Sequence, residues 1–128
     1  MVTDPISDFI IRLQNASRVK HEQLSLPFSQ IKFAIAKLLE REGYLADVAK
    51  PKKGEQLSVN LVYKNGTPAI AGVKRISKPS RRVYLGAHAL RPVKHGHGLL
   101  LLSTPEGILT GKDAHKQNVG GEALFEIW

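Results

Sequence analysis

The spacing of apolar residues changes along the chain. Near the start, Ile6, Phe9, Ile10 and Leu13 recur at helical intervals, with Arg12, Gln14, Arg18 and Lys20 turned away from them. This pattern predicts an amphipathic helix. Asp4-Pro5 supplies its N-cap and a proline at the first helical position. Leu24 and Leu26 then alternate with polar residues, and Pro27 ends the short strand. Ser29 caps a second helix whose buried side is Ile31, Ile35, Leu38 and Leu39, with Ala34 and Ala36 permitting close packing. Gly43, after Glu42, stops it. From Tyr44 the period falls to two. Tyr44 to Lys50 reads as a strand and Pro51-Lys52-Lys53-Gly54 as a turn. Gln56 to Tyr63 follows as a strand with Leu57, Val59, Leu61 and Tyr63 on one face. Asn65-Gly66 is a further turn signal.

Thr67-Pro68-Ala69 marks the expected boundary between two halves. Beyond it the pattern is mostly β. Ile70 to Ser77 is a strand, Lys78-Pro79-Ser80 turns the chain, and Arg82 to Leu85 returns as its hairpin partner. Val83 and Leu85 then face one side and Tyr84 the other. Ala87 to Leu90 forms a helical turn and Pro92 to Gly98 a loop. Four leucines, Leu99 to Leu102, lie between Gly98 and Ser103-Thr104-Pro105. They predict a buried strand paired in a hairpin with Ile108 to Thr110. Asp113 to Gln117 is a short helix. At Gly120-Gly121 the backbone turns tightly or approaches a neighbour before the last strand closes at Trp128. The expected fold is α+β in two subdomains. Residues 1–66 place two helices on a three-stranded sheet, and residues 67–128 are mainly antiparallel β with short helices. No internal repeat appears.

Length, 128 residues, fits one or two small domains with a core that needs no staples. There is no cysteine, which excludes disulfides and thiolate metal sites and fits an intracellular protein. No apolar run approaches the ~20 residues of a membrane span. Asp4 and Asp8, with no basic run before them, do not resemble a signal peptide. The charge changes the picture more. Net charge is +8, which favours a polyanionic partner. Between Lys74 and Lys94 stand seven cations, Lys74, Arg75, Lys78, Arg81, Arg82, Arg91 and Lys94, and no acid.

Catalytic chemistry finds little footing. His95-Gly96-His97 offers two imidazoles, but a metal site needs further ligands, and a basic loop is the simpler reading. Asp113 and His115 are two apart on the expected helix, so they do not face each other. No positioned base is apparent for Ser103. Gly96-His97-Gly98 precedes a strand rather than opening a helix, so it is not a dinucleotide fingerprint. No enzymatic activity and no cofactor are expected. RNA, by contrast, presents 2′-hydroxyls, shallow edges and phosphates, which suit Ser and Thr hydroxyls, main-chain amides and Lys or Arg. Tyr84 beside Arg81-Arg82 can stack on a base or sugar while its neighbours hold phosphates. A basic enzyme would need a convergent titratable pocket, and a protein-binding module an exposed apolar patch. Neither is evident in the pattern.

Several ordered motifs resemble the bacterial small-subunit ribosomal protein S-eight family along essentially the whole chain. They are Thr3-Asp4-Pro5-Ile6-Ser7-Asp8, Arg41-Glu42-Gly43-Tyr44, and Ile76-Ser77-Lys78-Pro79-Ser80-Arg81-Arg82-Val83-Tyr84. Gly98 through Thr110 and Gly120-Gly121-Glu122 complete the set. The resemblance implies a two-domain cytoplasmic protein of the ribosome, bacterial or organellar. It would bind the central domain of small-subunit ribosomal RNA beside neighbouring small-subunit proteins. Some members also repress their own operon's message. Carried over by motif, Ser103 and Thr104 contact RNA with Gly121 and Glu122 alongside and Tyr84 stacking nearby. Lys74, Arg75, Lys78, Arg81 and Arg82 are expected to meet phosphates, in an interface neutralising about four to six of them. Two positions depart from the pattern. Pro105 stands where the family has a third hydroxyl in Ser-Thr-Ser, removing a side-chain donor and an N–H. Ser80 stands at a usual glycine, which disfavours a left-handed turn there.

Overall fold

A computed structural model describes residues 4–89 and 98–128. The pair His95 and His97, the cations Arg91 and Lys94, and the loop expected at Pro92 to Gly98 therefore fall, apart from Gly98, outside the described residues. The chain forms two compact units. One is Asp8–Ala71, and the other combines Met1–Ser7 with Gly72–Trp128. The fold is α+β, as the pattern predicts.

In the first unit, helix α1 (Pro5–Arg18, begun in the other unit) buries Phe9, Ile10 and Leu13. Asp4 caps it, accepting the Ser7 N–H at 3.2 Å. Strand β1 (Gln23–Leu26) leads to α2 (Gln30–Arg41), capped by the Ser29 hydroxyl. Gly43 at φ +88 ends α2 with Gly43 N–H to Glu40 O and Tyr44 N–H to Leu39 O, a Schellman closure. The expected inner side of α2 is corrected at one position. Ile31 is 38% exposed, while Lys32 is buried and donates to the Pro27 carbonyl. A lysine can do this because its stem is apolar and its head reaches a partner.

Strand β2 is only Leu45–Ala46, shorter than the Tyr44 to Lys50 run predicted. Asp47 takes φ +53, which no strand accommodates, and its carboxylate accepts from Asn60. Strand β3 (Leu57–Leu61) buries Leu57, Val59 and Leu61 and is central in the antiparallel order β1-β3-β2. Tyr63 does not extend it. It opens β4 (Tyr63–Lys64), which pairs with β5 (Thr67–Pro68) around Asn65-Gly66, both at positive φ.

The second unit is built on a five-stranded antiparallel sheet. Its long central strand β10 (Gly121–Ile127) pairs on one side with β8 (Leu99–Thr104), which pairs in turn with β9 (Gly107–Thr110). On the other side β10 pairs with β6 (Val73–Arg75) at one end and β7 (Tyr84–Leu85) at the other. So β6 and β7 do not form the hairpin the sequence suggests. Both prefer β10, and only Lys78 and Arg81 bridge directly. Helix α3 (Gly111–Lys116) is capped by the Thr110 hydroxyl. It sets Ala114 into a core of Leu100, Leu102 and Ala123, against which Ile76, Val83, Leu85 and Trp128 pack. Each fully buried Leu there stabilises by roughly 2 kcal/mol.

Candidate nucleic-acid interface

Residues directly opposite in an antiparallel pair share a face of the sheet. Glu122 stands opposite Ser103 on β8 and opposite Tyr84 on β7. The three side chains therefore form one row across three strands. Glycine makes the row possible. A Cβ at Gly121 would run into the Ser103 carbonyl and the Thr104 methyl, and one at Gly120 would run into the Leu85 carbonyl. Larger residues would push β8 and β7 off β10.

The members of the row differ in what they have free. Tyr84 is 70% exposed. The Ser103 hydroxyl makes no hydrogen bond among the described residues and is partly open to solvent. Thr104 is different. Its Oγ1 accepts from the Glu106 N–H at 3.1 Å and donates to the Gly107 carbonyl at 2.8 Å, so it holds the turn. Glu122 is not the exposed edge charge a bare carboxylate suggests. Its side chain is 17% exposed, and Oε2 accepts both from the Ser77 hydroxyl and from Arg82 Nη1 at 2.9 Å. Burial raises its pKa, but the bonds from Ser77 and Arg82 outweigh this and hold the carboxyl below its ordinary 4.5. Arg82 is 51% exposed, and the bond it donates to Glu122 raises its pKa.

The cations divide. Lys78 and Arg81 are exposed on the turn after Ser77, and their side chains make no bond among the described residues. Lys74 is also exposed, but its register with Glu126 and Leu100 places it on the opposite face from Ser103. Arg75 is not available as a surface cation. Its side chain is 8% exposed, with Nε on Asp4 Oδ2 at 3.0 Å, Nη2 on Asp4 Oδ1 at 3.2 Å, and Nη1 on the Leu124 carbonyl. That carbonyl belongs to the bulge where β10 slips one residue against β8.

The model of the family described as Ribosomal protein S8 matches residues 4–128. The chain belongs to that family. It is 48% identical over 133 residues to the small ribosomal subunit protein uS8 of Cutibacterium acnes, covering 99% of this chain and 98% of that one. It is 45% identical over 128 residues to the protein of that name from Nitratidesulfovibrio vulgaris, across the whole of both. The Mycoplasmopsis synoviae protein of the same name is 43% identical over 130 residues. Pro105, where the resemblance led to the expectation of a third hydroxyl, sits exposed in the two-residue loop between Thr104 and Gly107. Gly107 takes φ +109, and the turn is tied by the Thr104 hydroxyl. Ser80 is not among the residues at positive φ, so its turn needs no glycine. One residue of the site escaped sequence reasoning. Ser77 is fully buried and holds Glu122. Its signal was a hydroxyl at the mouth of a basic turn, which looks like ordinary turn chemistry.

Proposed function

We propose that this chain is a structural, non-catalytic constituent of the small ribosomal subunit, binding the central domain of its RNA beside neighbouring proteins and supporting assembly. Membership of the Ribosomal protein S8 family supports the ribosomal role. The observation that carries the interface is the row Tyr84, Glu122, Ser103, which joins on one sheet an exposed ring, an anchored carboxylate and a hydroxyl unbonded among the described residues. Lys78, Arg81 and the outer nitrogens of Arg82 meet phosphates. Tyr84 stacks on a base or sugar. Ser103 bonds a 2′-hydroxyl or phosphate oxygen, and Gly121 lets the two strands lie close enough to present the groups together. Arg75 acts from inside, fixing the bulge on which β10 turns, and Lys74 adds to the field from the other face.

Ser103→Ala tests this reading. Its hydroxyl has no partner among the described residues, so the melting temperature should hold. Affinity for central-domain RNA should fall by about 1–2 kcal/mol, the worth of one good hydrogen bond. Unchanged affinity would remove Ser103 from the interface.

A further inference from the structure

Ser77 lies beneath the interface, where no ligand can touch it. Its side chain is fully buried. Its hydroxyl accepts from the Val83 N–H at 3.1 Å and donates to Glu122 Oε2. Its own N–H bonds the Ala123 carbonyl at 3.0 Å, and the Ala123 N–H bonds the Val83 carbonyl at 2.9 Å. Both ends of the segment 77–83 are thereby fastened to β10 beside Glu122. Between these ends, Lys78 and Arg81 exchange two backbone bonds of 2.9 Å, closing the turn that carries Lys78, Arg81 and Arg82. Arg82 returns to the same carboxylate oxygen at 2.9 Å. One buried hydroxyl thus bonds both the Glu122 carboxylate, which also holds Arg82, and the Val83 N–H at the far end of the basic turn.

We infer that Ser77 is a positioning residue for RNA recognition, acting through Glu122 to hold the basic turn and Arg82 in register with the Tyr84–Ser103 row. This rests on the RNA-binding reading above. Without the hydroxyl, Glu122 keeps among the described residues only a half-exposed partner, and exposed ion pairs fix geometry weakly. The cations would remain present but no longer be aimed. Charge count governs salt dependence, whereas aim governs the choice between RNAs.

The experiment uses the full chain and two probes, a central-domain fragment of small-subunit ribosomal RNA and a fully paired RNA duplex of equal length. Ser77→Ala should bind the fragment about 10-fold more weakly, as expected for a lost bond to a charged group. Its affinity for the duplex and its salt slope should stay near those of the wild type. In a cycle with Glu122→Gln, the double variant should lose little beyond Glu122→Gln alone, because both changes break one relay. Additive losses, or an equal loss on both RNAs, would overturn the inference and leave Ser77 as core packing. If Ser77→Ala does not fold, Ser77→Cys is read the same way, since it keeps the size and offers only a weak donor. A wild-type chain that does not prefer the fragment would instead refute RNA recognition itself, before any variant is compared.

Discussion

Asp4 shows how one residue can serve two structures. Its Oδ1 caps helix α1 through Ser7, and both oxygens hold Arg75. Burial raises its pKa, but the bonds from Arg75 and the Ser7 N–H outweigh that and keep the carboxyl below its ordinary 3.8. Glu122 is depressed below 4.5 in the same way. Groups held down in the folded chain favour folding fully above their unfolded values. That contribution fades as pH falls through the lower folded values. The urea midpoint should therefore be steady from pH 7 to 5 and drop toward pH 3, and Asp4→Asn should shrink the drop. An acid profile identical in Asp4→Asn would remove the Asp4–Arg75 pair from the stability account. The cap at Asp4 could be read from sequence because it acts three residues away. Its partner 71 residues on could not. That separation hid the loss of Arg75 from the surface, and one of 45 residues hid the bond between Ser77 and Glu122.

Among the elements, β10 decides most. It accepts strands on both sides, and the two glycines before Glu122 let them approach. Gly121→Ala and Gly120→Ala should each destabilise by about 1–3 kcal/mol, because the added carbon meets backbone that cannot move cheaply. Gly86→Ala, with nothing within 4 Å, is the control and should be nearly silent. Equal melting temperatures for all three would contradict the close approach. Local elements were legible in the sequence for local reasons. Both caps, the Gly43 stop, the Asn65-Gly66 turn and the leucine hairpin follow from a few adjacent residues. Non-local pairing was not. Nothing near Tyr84 says that β7 joins β10 rather than β6. Nor does the period-two pattern after Tyr44 reveal that Asp47 breaks the strand at positive φ.

For the molecule as a whole, a net charge of +8 pointed to a polyanion, but the sum overstates the usable cations. Arg75 is enclosed and Arg82 shares its charge with Glu122. Among the described residues, Lys78, Arg81 and Arg82 remain beside the row, enough for about three phosphates and a log–log salt slope of about −2 to −3. The candidate residues Ser103, Glu122 and Tyr84 were legible as types, whereas their alignment in one row needed the register of three strands. The most direct measurement is competition between the central-domain fragment and a fully paired duplex for the full chain as salt rises. Duplex binding, held by phosphates alone, should vanish first, while the fragment stays bound with that slope. Equal affinity for both RNAs at every salt concentration would contradict recognition by the sheet row.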